Sequence, residues 1–106
     1  MKTLRIALLS LAFAASAFAA DDTAKLWKAK CASCHGEDGK AQTKQGKAEK
    51  VEDMTTAEWQ GEWTDEKMKT IILEGSKDNK KMKPFKGKLT DQQIDDIIKH
   101  IRGFKS

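Results

Sequence analysis

Both cysteines of this 106-residue chain and one of its two histidines lie within five consecutive residues, Cys31-Ala32-Ser33-Cys34-His35. Two thiols three positions apart at the end of a helix can add across the two vinyl groups of a haem. A histidine directly after the second thiol then places its imidazole beneath the iron. Covalent attachment and one axial ligand would come from a single short segment. Three other chemistries use the same side chains. A thioredoxin-like dithiol would employ Cys31 and Cys34, yet that fold alternates strands with helices, and no period-two strand pattern is legible downstream of residue 19. A structural zinc needs four ligands, and the chain offers Cys31, Cys34, His35 and the distant His100; adjacent Cys34 and His35 chelate poorly in a tetrahedral site. A disulfide between Cys31 and Cys34 closes too short a loop to add much stability. Haem attachment is the reading toward which these considerations weigh.

A second axial ligand must come from elsewhere, and Met82 is the best placed. It sits in a loop between two helix patterns, where a thioether can swing over a haem face, and Pro84 stiffens the chain just beyond it. Met68 belongs to an apolar helix stripe and reads as core, and Met54 precedes a short helix in an acidic stretch. His100 flanks a helix whose apolar stripe is already assigned and reads as structural.

The elements that must position these residues are helical, which makes the expected fold class all-α. A first helix should run from near Asp22 toward Cys31 with Leu26 and Trp27 facing inward. After His35, the segment with Gly36, Gly39 and Gly46 reads as loop. Thr55 and Glu58 form a capping box for a short helix that carries Trp59 and ends at Gly61. Trp59 and Trp63 share a face if that helix continues through Gly61; their indoles read as core packing, with a haem propionate as the alternative acceptor for either N–H. Thr64, Asp65 and Glu66 start another helix, with Met68, Ile71 and Ile72 at i, i+3 and i+4 before Gly75. Thr90 and Gln93 cap a last helix whose stripe is Ile94, Ile97, Ile98 and Ile101, closed by Gly103.

The start of the chain reads as a secretory leader. Lys2 and Arg5 precede an apolar run, Ile6 to Phe13, that is too short to span a bilayer, and Ala17 and Ala19 supply the small residues of a cleavage site. Residues 1–19 are thus expected to be a signal peptide and 20–106 a single exported domain, with no stable membrane insertion after cleavage. Removing Lys2 and Arg5 from the 20 basic residues leaves 18 against 16 acidic ones, a net charge of about +2. That balance is no nucleic-acid signature. The distribution is uneven: Lys77, Lys80, Lys81, Lys83, Lys86 and Lys88 fall in one short loop with a single aspartate, whereas Glu49 to Glu66 is mostly acidic. Such asymmetry can steer a diffusing protein toward a partner of opposite sign.

The order of parts resembles the class I c-type cytochromes over essentially the whole region after the leader. The carrying segments are the helix before Cys31-Ala32-Ser33-Cys34-His35-Gly36, the loop Met82-Lys83-Pro84-Phe85-Lys86-Gly87-Lys88-Leu89 and the closing helix Thr90 to Phe104. The resemblance implies a small fold of about four short helices around one haem c, with thioether links at Cys31 and Cys34, proximal ligation by His35 and distal ligation by Met82. Two departures stand out: Lys83 intervenes where the family often has proline directly after the ligand methionine. His100, opposite Trp27, replaces an aromatic residue where the last helix crosses the first. The implied function is transfer of single electrons between redox partner proteins in the periplasm, with no enzymatic activity of its own and with the six lysines as a docking patch. The alternatives are a haem-based ligand-binding or sensor protein, in which Met82 leaves the iron open, and a haem subunit of a larger redox enzyme.

A domain of roughly 87 residues is marginal unless something besides side chains fills its core. The haem is expected to do so. Haem-free protein should therefore be largely unfolded at neutral pH, and a cooperative thermal transition in such material would contradict this.

Overall fold

The computed structural model describes residues 15–105, with side-chain surroundings from residue 21 onward. The basic opening and apolar run of the expected leader lie outside the described residues. Helix α1 spans Ala15–Lys30, so it begins well before the expected start near Asp22. Residues 15–20 are mostly alanine, the strongest helix former, and nothing in them breaks a helix, so the chain enters Asp21 and Asp22 already wound. Lys28 and Lys30 occupy its last turn, where cations complement the helix dipole.

Five further helices follow: α2 (Ala32–His35), α3 (Lys44–Ala48), α4 (Ala57–Glu62), α5 (Asp65–Glu74) and α6 (Asp91–Arg102). Among the described residues there is no strand, and the all-α expectation holds. The helix count exceeds the four expected because α2 is a single turn and α3 lies in the segment expected to be loop. The hydroxyl of Thr43 accepts from the amide of Gly46 at 2.9 Å and caps α3. Gly46 itself permits the packing, since a Cβ there would overlap the carbonyl oxygen of Cys34.

Helix α4 also departs from expectation by one residue at its start. Its cap is Thr56, which accepts from the Trp59 amide at 3.1 Å. Thr55 is buried, and its hydroxyl and amide both donate to Asp53 Oδ1, at 2.6 and 2.8 Å. The Thr55 hydroxyl bond, then the amide bond, hold the Asp53 carboxyl below its ordinary range. The helix continues through Gly61 to Glu62 rather than stopping at the glycine.

The last two helices follow the sequence pattern closely. Thr64 caps α5, and Gly75, at φ +77°, ends it. In α6 both bonds of the capping box form: Gln93 N donates to the Thr90 hydroxyl at 3.1 Å and Thr90 N donates to Gln93 Oε1 at 2.9 Å. Ile94, Ile97, Ile98 and Ile101 are all buried and form the centre of the core with Trp27, Met68 and Ile72. Helix α6 packs against both α1 and α5. At the α1–α6 crossing the Trp27 ring lies 5.4 Å from His100 and 5.2 Å from Phe104. His100 thus stands opposite Trp27 as expected, with Phe104 5.0 Å from it.

Ile94 is fully buried at the centre of this packing. Replacing it with alanine should cost about 2–5 kcal/mol, measured by guanidinium unfolding of the haem-loaded protein followed by far-UV circular dichroism.

Candidate functional site

The end of α1 delivers the reactive segment. Cys31 N donates to Trp27 O at 2.8 Å and His35 N to Cys31 O at 3.0 Å, so the motif continues the helical winding into α2. Gly36, at φ +80°, turns the chain away. Both cysteines are half-buried free thiols. Burial pushes the Cys31 thiol up to about 11, which keeps it protonated at neutral pH. A dithiol oxidoreductase needs the opposite, a thiolate stabilised by its surroundings, and the strands of that fold are absent among the described residues. Nor do the described residues contain any group of three or more His, Cys, Asp or Glu side chains placed to hold a metal ion, which removes the zinc reading.

His35 presents a neutral ring, because burial lowers its pKa. Its Nδ1 is buried without a hydrogen-bond partner. Buried polar atoms are rarely left so, and an uncharged imidazole is the form that ligates a metal.

Cys31, Cys34 and His35 open onto a cavity of about 620 Å³, within the range of cofactor sites. Met54, Met68, Ile72, Trp59, Trp63, Met82 and Phe85 also line it. The lining is mainly apolar, and its volume, paired thiols, imidazole and thioethers fit a covalently held haem. Met54 and Met68 are deeply buried, 4% and 2% exposed, whereas Met82 is half-buried on its loop. That loop is anchored to the end of α5. Phe85 N donates to Ile72 O at 2.9 Å and Lys86 N to Leu73 O at 3.2 Å. Met82 O accepts from Ser76 N at 3.0 Å, and Met82 N donates to Asn79 O at 3.1 Å. A Cβ on Gly75 would stand 2.7 Å from the Met82 carbonyl, so this close approach and the positive φ both require glycine.

The opposite signs of charge meet beside this cavity. All six loop lysines are exposed, and Lys81 and Lys83 line the opening. None takes part in the ion pairs among the described residues, which are Lys28–Glu37, Lys69–Asp95 and Arg102–Asp65. Asn79 Nδ2 donates to Glu49 Oε2 at 3.3 Å, so the basic loop abuts the acidic stretch.

Helix α4 forms another wall. Trp59 and Trp63 do share a face: their rings stack at 5.7 Å with an interplanar angle of 19°. The side chains that hold this wall escaped the sequence reading. Gln60 Nε2 donates to Met54 O at 2.7 Å and to Ile101 O at 3.0 Å. Arg102 Nη1 donates to Gln60 O at 2.6 Å and to Gln60 Oε1 at 3.0 Å, and Nη2 donates to Trp63 O at 2.6 Å. Met54 apart, the partners lie some forty residues from one another in the chain, and a lone arginine in a last helical turn signals only a favourable dipole.

No helix among the described residues is long and apolar enough to cross a membrane. Residues 18–101 match the family model described as cytochrome c oxidase, cbb3-type, subunit III. Cytochrome c6 of Nostoc sp. (strain PCC 7120 / SAG 25.82 / UTEX 2576) is 36% identical over 102 residues, covering 94% of this chain and 86% of its own length. Among solved structures, the KustC0563 c-type cytochrome is similar with a TM-score of 0.72 and 36% identity, over 79% of this chain and 98% of that one. A point mutant of that protein gives 0.70 and 37%, over 79% and 99%. The motif, the apolar cavity it opens onto and these relatives agree: the chain belongs to the c-type cytochromes, as an electron-transfer protein with one covalently bound haem c and no enzymatic activity of its own.

Proposed function

We propose that Cys31 and Cys34 hold the haem through thioether links, that His35 and Met82 bind its iron, and that the loaded protein shuttles single electrons between partner proteins in the periplasm. The observation that carries this is the convergence of these four side chains on one apolar cavity, although Met82 stands 47 positions beyond His35 in the chain. When bound, the haem supplies a one-electron iron couple, and thioether ligation raises its potential. His35 contributes a neutral imidazole from a rigid helical turn. Met82 would contribute a soft sulfur from a loop pinned to α5, so both residues that would hold the iron stand on elements that need not move during transfer. The surrounding Trp, Met and Ile side chains would give the haem a mainly apolar pocket.

Export is supported by the residues before the domain: Lys2 and Arg5, the apolar run after them, and Ala17 and Ala19. We assign residues 1–19 to a cleaved leader and 20–106 to the electron carrier. The lysines Lys77, Lys80, Lys81, Lys83, Lys86 and Lys88 form an exposed basic rim that fits an acidic patch on a redox partner. The description of the matched family model favours a second reading, in which the same site serves as a haem subunit of a larger oxidase; co-purification under mild conditions separates the two.

Met82→Ala should abolish the weak long-wavelength charge-transfer band of iron–thioether ligation in the oxidised protein, and should let the reduced protein bind carbon monoxide, while the haem stays attached. Retention of the band would remove Met82 from the ligand set. Raising ionic strength from 0.01 M to 0.15 M shortens the screening length from about 30 Å to about 8 Å. The electron-transfer rate with a partner that presents an acidic patch should fall about tenfold over that range; a rate indifferent to salt would dismiss the lysine rim as a docking surface.

A further inference from the structure

Helix α4 has only six residues and buries none of them fully. So short a helix has no stability of its own, yet it carries the stacked Trp59 and Trp63 that wall the cavity. Its position must therefore come from tertiary anchors. At its start there is the Thr56 cap. At its end, where helical carbonyls run out of intrahelical donors, the supply comes from the other end of the chain. Arg102, which does not line the cavity, closes α6 and donates Nη1 to the Gln60 carbonyl and side-chain oxygens, Nη2 to the Trp63 carbonyl and Nε to Asp65 Oδ1 at 2.9 Å. The 2.6 Å bonds to the two carbonyls are charge-assisted and short.

We propose that Arg102 is a positioning residue for the haem: its guanidinium fork locks the C-terminal turn of α4 onto α6 and thereby holds the Trp59–Trp63 stack closed against the cofactor. The proposal rests on the reading that this cavity is the haem site. The fork is specific to arginine, because a lysine ammonium carries the same charge but cannot reach several acceptors in a fixed plane. Gln60 completes the clamp by joining α4 to the carbonyls of Met54 and Ile101. When the clamp loosens, the indole wall parts from the cavity and water approaches the haem. Water stabilises the more positively charged oxidised iron, so the midpoint potential falls.

The test uses the haem-loaded protein and keeps the charge constant. Arg102→Lys should lower the midpoint potential and diminish the near-UV circular dichroism of the indoles, with the far-UV helix signal retained. Gln60→Met, an uncharged change in the same clamp, should move both signals in the same direction by less. If both variants keep the wild-type potential and indole dichroism, the clamp role is overturned, whatever their melting temperatures. Should Arg102→Lys fail to fold, Gln60→Met decides by the same two readings. The cavity reading has its own control: indole fluorescence in the wild-type holoprotein that is not quenched by the haem would sink it, and the clamp with it, before any substitution is made.

Discussion

The indole of Trp27 joins the helix crossing to the cofactor segment. It is 3% exposed, and its N–H donates to the Gly36 carbonyl at 2.9 Å, just past the Cys-x-x-Cys-His turn. Its ring centroid lies 5.9 Å from that of His35 and within 5.4 Å of those of His100 and Phe104. One side chain therefore packs α1 against α6 and also ties down the residue after His35. The consequence is mechanical: the motif cannot shift without disturbing the core, and the core cannot loosen without disturbing the motif. For an electron carrier that coupling matters, because a ligand set that stays in place between redox states keeps reorganisation small.

Around that joint, α2 to α5 are helices too short to persist alone. Threonine begins four of the helices, α3 to α6: Thr43, Thr56, Thr64 and Thr90 each accept a hydrogen bond from the amide three residues on. The Thr43 hydroxyl also donates to Ser33 O at 2.7 Å, so the cap of α3 is fastened to the Cys31–His35 turn. Caps define where the helices begin, and groups from distant segments define where they sit. The loop of Met82 illustrates the second part, since its course is set by bonds to the final turn of α5 and by a glycine that allows the two backbones to meet.

The charge pattern has a related logic. The basic loop is exposed beside the cavity opening, and the acidic stretch reaches it through Asn79 and Glu49. The charged side chains of both segments lie at the surface, so they remain available to the solvent and to other proteins. The interior of the site is apolar, and its rim is charged. That division suits a redox centre whose potential is governed inside and whose encounters are governed outside.

Features that depend on one turn of chain were legible in the sequence. The Cys31-x-x-Cys34-His35 motif is contiguous, so its presence needs no folding argument. The α6 stripe of Ile94, Ile97, Ile98 and Ile101, with its Thr90–Gln93 box, is local capping and local periodicity, and so is the Thr64 to Gly75 span of α5. Met82 stood out because it lies on a loop between two such helices. Other features required groups brought together through space. Local rules favour Thr55, which has Glu58 three residues on, yet the cap fell to Thr56 because Asp53 engages the Thr55 hydroxyl. Helix α3 looked like a glycine-rich loop because nothing in its sequence announces that Gly46 must pass close to the Cys34 carbonyl. The clamp of Gln60 and Arg102 spans 42 residues, and only the packing of α4 against the end of α6 brings it into being. Sequence alone therefore determined the cofactor chemistry and the helices that carry their own signals. Tertiary structure decided how the cavity walls close, because a hydrogen bond between distant residues has no local signature until the core has already brought its partners together.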